Sequence, residues 1–318
     1  MAFRDVYRQQ ASLLIRILPL VAEEPDFALK GGTAINFFVR DMPRLSVDID
    51  LAFLPVTPRP EALGAIDAAM KRIAERIRQG LRGSRVNEGM LRPEGVVTKL
   101  IARLDGVQIK IEITPVLRGS VFPAEERTVT AAVESELGFA EIKVLSFADL
   151  YAGKLVAALD RQHPRDLFDV RDLLANEGVR DRLRQAFIAY IISHDRPMAE
   201  VLAPTRKDIT QAFEREFQGM TAVAVSLDEL LAVREALIEA IVGRMPEAHR
   251  RFLMQFERGE PEWTLLGAPG VADLPAVRWR RRNLDSLTAE RRAALVDALG
   301  KALEMGPADG SASVRHQS

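Results

Sequence analysis

The sequence predicts an α/β unit with a mixed sheet flanked by helices, followed by a mostly α-helical portion. Three observations carry this. Up to about residue 120, short segments of period-two alternation interleave with helical periodicity. An Asp-Gly pair joins two of the alternating segments, and from Ser146 onward the apolar spacing is almost wholly helical.

Residues 4–22 place Leu13, Leu14, Ile17 and Leu18 at helical spacing. The short apolar stretch Phe27-Ala28-Leu29 runs into Gly31-Gly32-Thr33 and a helix through Phe38. Val47-Asp48-Ile49-Asp50-Leu51 alternates as a strand and stops before Pro55 and Pro58. Residues 61–81 form an amphipathic helix through Leu63, Ile66, Met70, Ile73 and Ile77. Val96 to Leu104 and Val107 to Val116 flank Asp105-Gly106, a hairpin signal because a type I′ turn needs positive φ at both central residues. Ser146 starts a helix to about Leu159 with a capping-box pattern, and Pro164 opens another that ends near Gly178. Further helices are expected near 181–193, 206–217, 227–242, 245–257 and 288–304. The boundary between the two portions falls near 120–145.

Composition excludes several classes. At 47% apolar and 28% charged the chain is an ordinary globular one, which excludes global disorder. The absence of cysteine excludes disulfides, thiolate catalysis and Cys-based zinc sites. The longest apolar run, Ala186 to Ile192, is far short of the ~20 residues of a membrane span, so no membrane association is expected. The opening Met-Ala-Phe-Arg-Asp lacks the build of a secretory leader, and a cytoplasmic location is expected. The net charge of −1 hides a basic stretch, Lys71 to Arg92, and a second cluster at Arg278-Trp279-Arg280-Arg281-Arg282. Either suits a polyanion, although a solvated helix face is the commoner meaning of such runs.

The chemistry-bearing residues lie in the first portion. Asp48 and Asp50 share one face of their strand, about 6–7 Å apart along it, an arrangement that repels unless a cation sits between them. Hard oxygen ligands beside a phosphate suit Mg²⁺. Glu112, on the second hairpin strand, is a third carboxylate if that strand neighbours the first; its plainer meaning is polar-out alternation. Gly31-Gly32 leaves backbone N–H groups open at a helix start, where they can cradle phosphate, with the Thr33 hydroxyl and the Lys30 cation alongside. Arg40 and Arg44 flank the metal strand and suit either phosphate or Asp41. Ser46 lies two residues before Asp48 on the same face, so a phosphoryl group there would place about −1.5 to −2 charges beside the carboxylates.

Gly31-Gly32-Thr33 followed by Arg44-x-Ser46-x-Asp48-x-Asp50 resembles the signature of DNA polymerase β-like nucleotidyltransferases, and more narrowly the AbiEii/AbiGii-type (MenT-like) toxin family. Ile111-Glu112-Ile113 is similar to the strand bearing the third acidic residue. Lys154, then Arg165-Asp166-Leu167-Phe168-Asp169, is similar to the family's lysine and Arg-Asp-x-x-Asp elements. The resemblance implies a nucleotidyltransferase domain over 1–140, a helical domain over 141–305 that completes the active cleft, and a flexible tail over 306–318. It implies catalytic roles for Asp48, Asp50, Glu112, Lys154 and Asp169, and metal ligation by the first three. Nucleotide binding would fall to Lys30, Gly31, Gly32, Thr33, Arg44, Ser46, Arg165 and Asp166.

The implied activity is a Mg²⁺-dependent transfer of nucleotides from a nucleoside triphosphate to RNA, most naturally the tRNA 3′ acceptor end, blocking translation, with a cognate antitoxin as partner. Two other readings remain open on sequence: a protein or small-molecule acceptor, and a nucleotide- or RNA-binding regulator without turnover.

Overall fold

The structure, a computed structural model, describes residues 5–304; the expected tail at 306–318 lies outside the described residues. Helix α1 (Asp5–Ala22) leads into β1 (Phe27–Lys30), then α2 (Gly31–Ala34), which continues as a π-helical turn over Ile35–Val39. There follow β2 (Asp48–Phe53), α3 (Arg59–Gly80), β3 (Arg85–Leu91), β4 (Val96–Leu104), β5 (Val107–Arg118), β6 (Glu125–Thr128), α4 (Ala131–Leu137) and β7 (Glu141–Val144). After Val144 the described chain is helical: α5 (Phe147–Asp160), α6 (Pro164–Asn176), α7 (Asp181–Ile191), α8 (Met198–Leu202), α9 (Thr210–Ala212), α10 (Leu227–Ile238), α11 (Glu247–Arg258), α12 (Pro275–Asp285) and α13 (Ala289–Glu304).

The seven strands form one mixed sheet in the order β3-β4-β5-β2-β1-β7-β6. β2 runs parallel to β5 and antiparallel to β1, so the two strands of interest sit at the centre. The hairpin turn is as expected: Asp105 and Gly106 take φ of 50° and 81°. Helices α1 and α3 cover one face through Leu14, Ile17, Leu18, Ile66, Met70 and Ile73, all fully buried. One continuous apolar cluster extends from Ala11 to Leu303, so sheet and later helices share a core. Among the described residues no helix is long and apolar enough to cross a membrane.

Two elements were not foreseen and one expected boundary moves. Residues 85–91 are an edge strand that the sequence conceals, because most of its side chains are exposed and no apolar period develops. The helix expected from residue 206 starts only at Thr210, where the Asp208 carboxylate accepts both the Thr210 N–H (2.9 Å) and its hydroxyl (2.7 Å), a local bond that competes with helix. The basic cluster around Trp279 is itself a helix, α12, entered through Pro275.

Candidate active site

The register of the central strands assembles the carboxylates. Asp50 stands opposite Glu112 on β5 and opposite Lys30 on β1, while Asp48 stands opposite Lys110. Side chains alternate along each strand, so all five lie on one sheet face, and Ile49, Leu51, Ile111 and Ile113 fill the core on the other. The polar face opens into a cleft of about 720 Å³ whose far wall is α5, α6 and the turn after α7. Glu112 therefore joins Asp48 and Asp50, as the sequence allowed.

Among the described residues, no protein donor hydrogen-bonds to the Asp48 or Asp50 side chain. Burial raises the Asp48 pKa, and Asp50 and Glu112 add to the rise against the opposing pull of Lys110 and Arg165. Lys110 was not anticipated as a site residue. Its ammonium is 2.9 Å from Glu112, and although burial works against it, Glu112, Asp48 and Asp50 together hold its pKa up. Lys30 is the reverse case: burial pulls its pKa down, opposed by Asp50 and Glu112.

The glycine turn is crowded. Gly31 has φ +76°, and a Cβ there would come within 2.6 Å of Asp50 Oδ2. A Cβ on Gly32 would come within 2.6 Å of Arg44 Nη2 and 3.1 Å of Ser46 Oγ. The turn's backbone thus lies directly against the carboxylate strand. Thr33 departs from expectation: it is buried beneath the turn, donates to the Asp48 carbonyl at 2.5 Å and lies 2.9 Å from Ser46 Oγ. Its hydroxyl braces the strand instead of facing phosphate. Ser46, largely buried, still lines the cleft.

Behind these residues lies a knot of buried ion pairs. Arg44 binds Asp169 through Nε (2.7 Å) and Nη2 (2.6 Å), and Asn36 donates to the same carboxylate. Lys154 bridges Asp169 (3.0 Å) and Asp166 (2.8 Å), and Arg161 holds Asp166 through two nitrogens. Burial works to raise the Asp166 pKa, but Lys154 and Arg161 outweigh it and the net shift is downward. Asp169 follows the same logic with Arg44 and Lys154.

This knot corrects several expected roles. Arg44 lines the cleft but is held by Asp169 and does not pair with Asp41. The Asp169 side chain is 0% exposed, so it positions Arg44 and Lys154 and has no opening toward a substrate. Asp166 is likewise enclosed at 1%. Arg40 pairs with Glu177 and with the buried Tyr151 hydroxyl, so both are structural. Arg165 forms no ion pair with Asp169 or any other described residue and faces the cleft near Asp48. Arg161, unforeseen, lines the cleft with its side chain 61% exposed.

As the side chains stand, no group of three or more His, Asp or Glu among the described residues is disposed to hold a metal ion. The donor set nonetheless fits a hard divalent cation: two neighbouring carboxylates without N–H partners, with Glu112 beside them under a displaceable lysine.

The comparisons agree with this geometry. Residues 12–282 match the family described as nucleotidyl transferase AbiEii toxin, type IV toxin–antitoxin system. A comparison with curated proteins finds no match. Among solved structures, MenT4, a nucleotidyltransferase toxin from Mycobacterium tuberculosis H37Rv, matches over 93% of both chains at a TM-score of 0.59 and 15% identity, a likeness of fold. With its matched region spanning the carboxylate strands, the glycine turn and the helical wall of the cleft, the chain belongs to the AbiEii nucleotidyltransferase toxin family of type IV toxin–antitoxin systems.

Proposed function

We infer that this nucleotidyltransferase toxin moves nucleotides from a nucleoside triphosphate to RNA, with the tRNA 3′ acceptor end as its target and Mg²⁺ as its cofactor, and that it works in the cytoplasm. The observation that carries the reading is the shared face of Asp48, Asp50 and Glu112 beside the Gly31-Gly32 backbone, with the cations Lys30, Arg161 and Arg165 around one cleft.

Asp48 and Asp50 would hold the metal, with Glu112 as the third ligand. When bound, it supplies charge neutralisation at the α-phosphate and the leaving pyrophosphate. The remaining chemistry is positioning and electrostatics. The open N–H groups of Gly31 and Gly32 cradle the triphosphate. Arg161 and Arg165 face it from the opposite wall, joined by whichever Lys154 N–H is left over from Asp166 and Asp169. The terminal hydroxyl oxygen of the acceptor attacks the α-phosphorus, the bond to the bridging oxygen breaks, and pyrophosphate departs. Glu112, once parted from Lys110, takes the hydroxyl proton. A tRNA end extended in this way no longer presents its terminal hydroxyl for aminoacylation, which blocks translation. A cognate antitoxin is the partner that the family implies.

The test is incubation with Mg²⁺, each α-labelled nucleoside triphosphate in turn and total tRNA, beside Asp48→Asn. Label in tRNA with the unaltered protein alone is the expected result. Label in protein, or none in tRNA, overturns the RNA reading.

A further inference from the structure

Helix α12 presents two different faces. Ala276, Val277 and Leu284 are buried, and Arg280 also turns inward, donating to the Asp195 carbonyl at 3.4 Å and lying 3.9 Å from the buried Glu257. The other face carries Arg278, Trp279, Arg282 and Asn283 at helical spacings of three and four, all exposed. Trp279 is 59% exposed. An indole ring left in water forgoes the large burial that tryptophan normally achieves. It belongs to no ring pair or cation–π contact among the described residues.

Unpaired positive charge is also found here. The sequence placed its largest basic excess at Lys71 to Arg92, where four of the seven cations are paired in the fold and Arg82, Arg85 and Arg92 form no ion pair among the described residues. Arg72 and Arg76 converge on the buried Glu24, Lys71 pairs with Asp67, and Arg78 pairs with Glu88. On α12, Arg278 has only the exposed Asp273, and Arg281 and Arg282 form no ion pair among the described residues.

The position of this face matters as much as its composition. α12 packs against β5, the strand that carries Lys110 and Glu112. Leu274, which leads into the helix, lies so close to the end of β5 that a Cβ on Gly119 would come within 2.9 Å of it. Arg280 fastens the helix to Asp195, which lines the cleft, and the exposed Val116 of β5 lines the cleft as well. Helix α12 therefore packs beside the active cleft through its inward side, and its exposed face is the side turned away from that packing.

We propose that the Arg278/Trp279/Arg282/Asn283 face of α12 is the docking ridge for the single-stranded end of the acceptor RNA, a refinement that rests on the RNA reading above. Trp279 stacks on an unpaired base, Arg282 and Arg281 hold flanking phosphates, and the Asn283 amide reaches a base edge. Unpaired ends are recognised in this manner because their bases offer open π-faces and their backbone a dense negative charge. A protein partner is the poorer fit. Trp279 is the one large apolar side chain exposed on the helix, without the apolar surround that a protein hot spot needs.

The experiment uses the full chain with 5′-labelled tRNA, whose 3′ end is left free. Binding is measured without nucleoside triphosphate at two salt concentrations, and steady-state transfer is measured with it. Trp279→Ala is expected to raise both the Kd and the KM for tRNA about tenfold. The KM for nucleotide and kcat at saturating tRNA stay unchanged. Trp279→Phe should restore most of the affinity, and Arg282→Ala should lower the salt slope by about one. Unaltered tRNA affinity in Trp279→Ala, while the parent protein binds and labels tRNA, overturns the ridge alone. The same result with loss of antitoxin binding assigns the face to a protein and also overturns it. A parent protein that neither binds nor labels RNA fails the RNA reading, and the ridge with it.

Discussion

Lys110 donates to Glu112 at 2.9 Å from the position opposite Asp48, so a lysine ammonium stands beside the three carboxylates that the fold gathers on one sheet face. A divalent ion drawn to Asp48 and Asp50 must compete with that ammonium, and this competition is measurable. Lys110→Met leaves the three carboxylates to repel one another, so the metal-free Tm should fall by several degrees. The rise in Tm on adding Mg²⁺ or Mn²⁺ should then exceed that of the parent protein. Equal metal-induced shifts would remove Lys110 from the site.

Gly31 tests how closely the turn and the carboxylates are coupled. Gly31→Ala meets both a positive φ of +76° and the Asp50 oxygen. We expect transfer to fall at least a hundredfold through displacement of Asp50, with a loss of stability of only about 1–2 kcal/mol. Transfer rate and a urea melt on the same preparation separate the two effects.

Arg165 separates binding from folding. It has no ion pair to lose among the described residues, so Arg165→Ala should leave the Tm unchanged and raise the KM for nucleoside triphosphate about tenfold, the effect of about 1.4 kcal/mol of lost phosphate contact. A reduced Tm with unchanged KM would make the residue structural.

The buried knot predicts a stability profile. Asp169→Asn or Arg44→Met leaves a buried charge without its partner and should cost about 3–5 kcal/mol in urea, with the double variant recovering part of the loss. Asp166 and Asp169 have folded pKa values below the ordinary carboxylate value of 3.8. Their contribution is complete above about pH 5 and is lost as pH falls from there toward the depressed folded values. The difference in urea midpoint between the parent protein and Asp166→Asn should therefore hold from neutrality to about pH 5 and narrow below it.

Ser46 tests the cleft by charge. Its Oγ lies at the cleft wall, 2.9 Å from Thr33 Oγ1. Ser46→Glu should abolish nucleotide binding measured by calorimetry, and affinity equal to that of the parent protein would refute the repulsion argument.

What the sequence revealed about this site is what local physics controls. Period-two alternation put Asp48 and Asp50 on one face, the glycine pair marked a turn that admits no side chain, and Asp105-Gly106 closed the hairpin that carries Glu112. Ser146 caps α5 at the Asp149 N–H and His163 caps α6 at the Arg165 N–H, both at spacings visible in the chain. What stayed hidden depends on partners distant in sequence. Nothing near Arg44 announces Asp169, and nothing near Arg72 announces Glu24, so both arginines read as free cations until folding pairs them. Lys110 looked like one more outward residue of a hairpin strand. Trp279 is the converse case: its neighbours in the chain do not place it, and only the burial of its helix's other face shows it standing outside.

Asp169 follows Arg44 by 125 residues, and the bond between them has a consequence for synthesis. A ribosome that has delivered the whole sheet has already delivered the glycine turn and all three carboxylates, but not the helix that fastens the arginine beneath them. Until α6 leaves the exit tunnel, that guanidinium lacks its counter-ion and the cleft lacks its far wall. A chain released before α6 therefore carries the carboxylate strands and the glycine turn with neither the buried partner of Arg44 nor a closed cleft.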